Sequence, residues 1–457
     1  MESLAGKRVT VAGLGRFGGG IAVIRWLCSQ GAAVLVTDLD PAEKLADSVR
    51  QLEGLPVEFR LGEHREEDFS GADLVVASPA VPLHSPYLQA ARSAGKHVTT
   101  EIRLFIERCP ARIVGVTGTK GKSTTTAMLG AILASAAKTW VGGNIGKSLL
   151  ADLDSIAKTD LVVLELSSYM LEHLREMRFS PHLAVVTMIA SDSEHMKWHG
   201  SLEAYIDAKR NIIRFQQADD VAVLNEQDPT AAGFAMEAPG KIVFYGLKGR
   251  GKFELLIPGS HNQLNAQGAF AAAGIFGVDF SAAQRALAEF PGLPHRLQLV
   301  HESGGVKYYN DSIATIPEAA VAALESFPVK KVIQIVGGYG NMPITAMCAA
   351  LVARAKAVLC IGATGPGIAD LLEQSPLPSA PPTYRCGDLA TAVTIAKQIA
   401  ATGDIVLLSP GFKSYDQFVN FEQRGDEFAR LVTERGTLKG TGAFKSLIDE
   451  REREREL

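Results

Sequence analysis

The sequence lacks any apolar run approaching the roughly 20 residues needed to span a bilayer, so no membrane partner is expected. It also lacks an excess of positive charge. With 46 Lys and Arg against 50 Asp and Glu, its net charge of −4 offers no basic field for DNA or RNA. Cysteine is sparse: Cys28, Cys109, Cys348, Cys360 and Cys386 are scattered, odd in number and form no Cys-x-x-Cys pair. That pattern argues against a disulfide framework or a zinc site and fits the reduced thiols of a cytoplasm. The opening residues, MESLAGKRVT, lack the charged-then-apolar order of a signal peptide, so a cytoplasmic location is expected.

What is present is an ordinary globular composition, 47% hydrophobic and 21% charged, over 457 residues, too many for one core. Three blocks emerge, at 1–102, 103–297 and 298–457, with a proline- and glycine-bearing PGLPHR hinge near the second boundary. Strand-like runs include KRVTVAGLG, DLVVLEL (160–166), AVVTMI (184–189), KVIQIVGG (331–338), AVLCIG (357–362) and DIVLLSP (404–410). Helical patterns separate them, which predicts a doubly wound α/β architecture with parallel sheets in every block. The charge-dense tail KSLIDEREREREL reads as a solvated helix or frayed end.

The most informative stretch is GVTGTKGKSTTT at 115–126. A short buried strand, Ile113 to Val116, precedes it and a helix starting near Ser123 follows. Gly118 and Gly121 let the backbone of Gly118, Thr119, Lys120 and Gly121 bend so that N–H groups point at a phosphate chain. Lys122 then supplies a point charge for the outer phosphates, Ser123 a hydroxyl for magnesium, and Thr124 continues the loop into the helix. Val116 stands where a regular Walker A has its first glycine. Nucleoside triphosphate binding follows; the reaction does not.

A second glycine motif, Gly13, Gly15 and Gly18, comes straight after the first strand, with Asp38 at the end of the next. This satisfies the dinucleotide fingerprint and by itself suggests an NAD-dependent dehydrogenase. Its physics is only close backbone approach to a diphosphate, which a UDP-sugar also carries, and a dehydrogenase has little use for a second loop at Lys122. Glu165 ends a strand near the phosphate loop and is placed to hold magnesium. His195 lies in the polar loop ASDSEHMKWHG, where a lone histidine is usually a surface residue and His199 competes for any role. Lys209 sits on an expected helix, AYIDAKRNI, where spacing alone gives it no more than a solvated place.

Together, GTKGKSTTT, NIG (144–146), ELSSYMLE (165–172), the loop histidine before HGS and AYIDAK resemble the Mur ligase family, ATP-dependent amino-acid ligases of peptidoglycan precursor synthesis. HNQLNA (261–266), LPHR (293–296), YNDSIATIPEA (309–319) and SPGFKSYDQFVNFEQRGDEF (409–428) continue the resemblance in order over essentially the whole chain. The last string, with ELSSYMLE, is most similar to members that add D-glutamate to UDP-N-acetylmuramoyl-L-alanine through an acyl phosphate.

The resemblance implies an N-terminal Rossmann-like UDP-binding domain, a central P-loop-type ATP-binding domain and a C-terminal Rossmann-like domain for the amino acid. It implies ATP and two magnesium ions as cofactors, with small-molecule substrates and a monomer. Lys122 would contact the β- and γ-phosphates, with Ser123 and Glu165 on one magnesium and His195 on the second. Lys209 would be carbamylated and so become an oxygen ligand for that second metal. Asn262 and Asn265 would face adenine, Asp311 the ATP ribose, and Arg296 the phosphates. Gly15, Arg16, Phe17, Asp38 and Asn144, with His195, would meet the UDP-substrate. Thr315, Lys413, Ser414, Tyr415 and Phe421 would meet the amino acid.

Two departures stand out. Most such members carry lysine between the Asp-Ser and Ala-Thr pairs where this chain has Ile313, and many have one after the glycines of VGGYGNMP (336–343). SPGFKS instead places Lys413 where a small residue is usual, so a missing charge could enter from another direction, or a different amino acid could be accepted. A related ligase with another acceptor is the alternative.

Overall fold

The computed structural model describes residues 3–15, 20–78, 81–82, 84–190, 198–374 and 380–434. The described chain forms three sheets in sequence order. The first has strand order β3-β2-β1-β4-β5, with β1 Arg8–Ala12, β2 Ala33–Asp38, β3 Val57–Leu61, β4 Leu74–Ala77 and β5 His97–Thr100. All its pairings are parallel, and the strand order reverses between β1 and β4.

The second sheet runs β11-β10-β9-β6-β8-β7, from β6 Arg112–Thr117, β7 Thr139–Gly143, β8 Leu161–Glu165, β9 Leu183–Val186, β10 Val221–Asn225 and β11 Lys241–Tyr245. It too is wholly parallel. The strands β8, β9 and β10 are buried at every position, as expected of a parallel sheet covered on both faces. One cover is the helix Lys122–Leu133, buried on most sides because the helix Ser260–Gly274 lies against it. Strand and helix come close enough there that a Cβ on Gly130 would lie 2.4 Å from Val141.

The third sheet has the order β12-β13-β17-β14-β15-β16: β12 Gln298–Ser303, β13 Val306–Asn310, β14 Val332–Val336, β15 Ala355–Ile361, β16 Thr383–Gly387 and β17 Ile405–Leu408. Here the expectation of a parallel sheet needs one amendment, because β12 and β13 form an antiparallel hairpin. The cause is local: Gly304 and Gly305 stand between them at φ 59° and 75°, and consecutive positive φ values close a two-residue hairpin.

By chain contacts, residues 1–256 with 260–290 form one compact unit and residues 257–259 with 291–457 another, so the first two sheets share a unit. No helix among the described residues is long and apolar enough to cross a membrane. The charged tail lies outside the described residues.

Gly305→Ala should destabilise the second unit by about 1–2 kcal/mol, since its new Cβ would sit at φ 75° and 2.7 Å from Thr402 Cγ2. Chemical denaturation of wild type and variant measures this, with an unchanged midpoint as the contrary result.

Candidate active site

In the first unit, chemistry collects at the carboxyl ends of the adjacent strands β9, β6 and β8. Residues 118–121 link β6 to the helix Lys122–Leu133, with Gly118 at φ 151° and Gly121, the residue that caps the helix, at φ 85°. Both glycines are also required by contact. A Cβ on Gly118 would fall 2.0 Å from Thr187 Oγ1, and one on Gly121 would fall 2.5 Å from Asn265 Oδ1. Thr187, just beyond β9, fastens both ends of the bend: its N–H donates to the Thr117 carbonyl at 2.9 Å and its Oγ1 to the Lys120 carbonyl at 2.8 Å. Thr119 N–H donates to the Met188 carbonyl, its hydroxyl lies 2.9 Å from Tyr205 Oη, and Ala190 N–H donates to that hydroxyl at 3.0 Å. The loop is therefore held from behind, leaving the helix N-terminus to face a phosphate.

Lys122 Nζ donates to the Thr119 carbonyl at 3.0 Å. Ser123 is half-buried in the first helical turn, beside the buried Thr124. Glu165, the last residue of β8, is only 1% exposed; its Oε1 accepts from Asn144 Nδ2 at 2.9 Å, and its Oε2 has no hydrogen-bond partner among the described residues. A buried carboxylate oxygen without a donor is a ready ligand for a hard cation. Lys209 is fully buried on the helix Leu202–Arg214, with Nζ donating to the Gly118 carbonyl at 2.6 Å and 4.7 Å from the Tyr205 ring centroid. Burial, with the Lys122 charge adding to it, pushes the Lys209 pKa well below the ordinary lysine value, and Glu165 pulls the other way.

Asn262 and Asn265 are buried on the helix Ser260–Gly274 and bonded to each other at 3.3 Å, and Asn265 Oδ1 accepts from Thr125 Oγ1. Lys122, Ser123, Glu165, Lys209, Asn144 and Asn265 thus belong to one neighbourhood. His195 lies outside the described residues; His199, its competitor, sits among the rings of Tyr169, Trp198 and Tyr205.

In the first sheet, Asp38 Oδ2 accepts from Leu14 N–H at 2.8 Å and Gly15 N–H at 3.1 Å, while Oδ1 accepts from Asp40 N–H at 2.9 Å. The aspartate expected to bind a ribose therefore also shapes the glycine loop. Arg16 and Phe17 are outside the described residues. A cavity of about 1080 Å³ opens between the first two sheets, lined by Arg25, Trp26, Ser78, Asn144, Lys147 and Met170 among others.

In the second unit, Asp311 is buried just after β13, with Oδ1 accepting from Leu297 N–H at 3.1 Å and Oδ2 from Ser409 Oγ at 2.7 Å. Burial raises its pKa from an ordinary value near 3.8 to about 7, against the pull of those bonds and of Arg296. Arg296 lies between His295 and Leu297, non-glycine residues at φ 60° and 41°. Ser414 is buried with no partner for its Oγ among the described residues, Lys413 and Tyr415 are exposed, and Thr315 and Phe421 are half-buried. Sequence reading missed Arg424, which is 1% exposed. It donates to Ser312 Oγ at 2.9 Å, the Ser312 carbonyl at 2.8 Å and the Phe412 carbonyl at 3.0 Å. An arginine inside the quoted NFEQRGDEF string was the available signal. Thr187 and Tyr205 were missed as well, although both lie in strings read as a strand and a helix.

Comparison with known proteins decides the family. The Mur ligase MurD-like N-terminal domain matches residues 7–100, the Mur ligase middle domain residues 116–254, and the Mur ligase glutamate ligase domain residues 295–412. The chain belongs to the Mur ligase family. UDP-N-acetylmuramoylalanine–D-glutamate ligase of Roseiflexus sp. (strain RS-1) is 42% identical to this Mur ligase, covering 94% of this chain and 99% of the relative. The ligase of the same name from Symbiobacterium thermophilum is 37% identical over 93% and 98%. The crystal structure of UDP-N-acetylmuramate–alanine ligase MurC from Thermotoga maritima shares the fold. Its TM-score is 0.58 at 21% identity, covering 93% of this chain and 98% of that one. The first and third sheets fall within matched Mur ligase domains, and so does the second apart from most of β6, which begins at Arg112, ahead of the match at residue 116.

Two outcomes test this geometry. Gly118→Ala should weaken binding of an ATP analogue by roughly tenfold or more, with the circular dichroism of the sheets retained; unchanged affinity in a titration would contradict the close approach to Thr187. For Asp311, the folded pKa lies above the unfolded one, so the folded state holds the extra proton between them. Stability of the second unit should accordingly fall as pH rises from about 4 to about 7 and level off above that range. Thermal melting across this pH range should show that part of the decline abolished in Asp311→Asn.

Proposed function

We propose that this Mur ligase joins D-glutamate to UDP-N-acetylmuramoyl-L-alanine, forming ADP and phosphate, in the cytoplasmic synthesis of peptidoglycan precursors, and that it acts as a monomer. The observation that carries the reading is 42% identity, over nearly the full length of both chains, to a ligase named for that reaction. The phosphate loop and the buried carboxylate beside it support the ATP-dependent part. We assign residues 1–102 to the UDP-sugar, 103–297 to ATP and 298–457 to the amino acid.

The chemistry explains the residues. A carboxylate and an amine do not condense in neutral water, so the alanyl carboxylate must first be activated. Its oxygen attacks the γ-phosphorus of ATP and ADP leaves, giving an acyl phosphate. The D-glutamate nitrogen then attacks the acyl carbon, a C–N bond forms, the bond to phosphate breaks, and the nitrogen gives up a proton. In the first step two anions meet, so positive charge and fixed donors dominate catalysis. Lys122 and the N-terminal end of the helix that follows Gly121 hold the phosphates, and Arg296 adds a guanidinium. Asn262 and Asn265 meet the adenine and Asp311 the ribose. Asn144, His195, Gly15, Arg16, Phe17 and Asp38 serve the UDP-substrate; the large cavity beside Asn144 has the size for a sugar nucleotide. Thr315, Lys413, Ser414, Tyr415 and Phe421 serve the acceptor.

The residues fit magnesium. Among the described residues no group of three His, Cys, Asp or Glu side chains gathers to hold a metal, and magnesium needs none, since it takes one or two carboxylates plus substrate phosphates. Ser123 and the donorless Glu165 Oε2 would hold one ion, and His195 with Lys209 a second. When bound, the ions neutralise charge on the transferring phosphoryl group. Lys209 suits the carbamate because burial lowers its pKa and so favours the neutral amine, the form that can take up carbon dioxide.

The test is phosphate release from ATP, expected only when UDP-N-acetylmuramoyl-L-alanine and D-glutamate are both present. Release that needs neither, or a preference for L-glutamate, D-aspartate or glycine, would overturn the assignment. Lys122→Ala should lower kcat by roughly a hundredfold or more. Enzyme stripped of carbon dioxide should regain activity with bicarbonate, and Lys209→Arg should show no such recovery.

A further inference from the structure

The acceptor half of the second unit poses a charge problem. If the acceptor is D-glutamate, as proposed above, it brings two carboxylates and needs cations to receive them. The third sheet shows where these can come from. Reading β16-β15-β14-β17, the order reverses between β14 and β17, and in open α/β sheets ligands sit outside the carboxyl ends at such a reversal.

Two loops leave there, residues 337–343 after β14 and 409–416 after β17, and they are fastened together. Tyr339 N–H donates to the Lys413 carbonyl at 2.7 Å, and the two residues form an antiparallel bridge. Gly338, at φ 150°, comes so close that a Cβ would lie 2.3 Å from that same carbonyl. The position of the Lys413 backbone is therefore fixed by the loop opposite.

The cations of this crevice are not equivalent. Arg424 is buried and commits three of its five N–H donors to Ser312 and Phe412. Ile313 is apolar, and the 337–343 loop, Gly-Gly-Tyr-Gly-Asn-Met-Pro, carries no charge. Lys413 is exposed, and its ammonium has no ion pair or hydrogen bond among the described residues. The acid nearest in sequence, Asp416, accepts through Oδ2 from Ala363 N–H at 2.9 Å. A second observation in this loop points to a ligand: the Ser414 hydroxyl is buried without a partner among the described residues. A buried, partnerless hydroxyl and an exposed, uncommitted ammonium on consecutive residues, at the reversal of a parallel sheet, are donors this loop can offer a carboxylate.

We infer that Lys413 is a specificity-determining residue, its ammonium receiving a carboxylate of the amino-acid acceptor in place of the charge that Ile313 does not provide. The inference rests on the ligase reading, and the experiment separates the two. Acceptor kinetics are measured for wild type, Lys413→Ala, Lys413→Arg and Lys413→Glu with saturating ATP and UDP-N-acetylmuramoyl-L-alanine.

The expected result is a rise in KM for D-glutamate of roughly 10- to 100-fold in Lys413→Ala, the loss of one charge-assisted hydrogen bond. A larger rise is expected in Lys413→Glu, and substantial recovery in Lys413→Arg. KM for ATP should not move in any of them, which a general disturbance of the fold would not spare. An unchanged KM for D-glutamate in Lys413→Ala, or equal rises for D-glutamate and ATP, overturns the inference while leaving the ligase reading intact. Failure of the wild type itself to use D-glutamate sinks the ligase reading instead.

Discussion

The backbone at Gly118 approaches Thr187 more closely than any side chain would allow, and the ATP half of the molecule is arranged around that approach. With no Cβ in the way, Thr187 can bond the carbonyls of Thr117 and Lys120 and so fix the bend from both ends. The Gly118 carbonyl is turned to Lys209, and Gly121 is left against Asn265. The carbonyls of Lys120 and Gly118 gain partners in this way, so the cradle is held in place before any phosphate arrives. A rigid cradle does not have to be ordered when the ligand binds, and that part of the binding free energy is retained.

All three sheets place their special residues at the carboxyl ends of strands. The glycine loop held by Asp38 follows β1, the phosphate loop follows β6, Glu165 ends β8, and the Lys413 loop follows β17. Parallel strands end with their chemistry on one edge because the connecting helices return the chain to the other edge. On the assignment proposed above, the three repetitions of one layout would serve a nucleotide sugar, a triphosphate and an amino acid in turn.

Much of this was legible in the sequence, and the reason is local. Strand runs such as DLVVLEL and DIVLLSP fell within a residue or two of β8 and β17, because burial on both faces demands an unbroken apolar run. The phosphate loop was visible because its glycines, lysine and serine are neighbours in sequence. The unread parts depend on partners far along the chain. Asn265 meets Gly121 and Thr125 from about 140 residues away, and Arg424 secures Ser312 across 112. No window of sequence shows such a pair. The hairpin of β12 and β13 was missed for a different reason: in Ser-Gly-Gly-Val the two glycines were not weighed as a turn against the alternating helix–strand pattern.

The order of the third sheet bears on how the chain is made. β17 lies between β13 and β14, yet it is the last of the six strands to be synthesised. Until it leaves the ribosome, β13 and β14 each present an unpaired inner edge, and the apolar side chains of both remain uncovered. The last helix among the described residues, Phe421–Thr433, follows later still and brings the Arg424 donors to Ser312 and Phe412. The sheet therefore cannot be completed strand by strand; it closes only once β17 has been made, and until then those edges are open to pairing with the wrong strand.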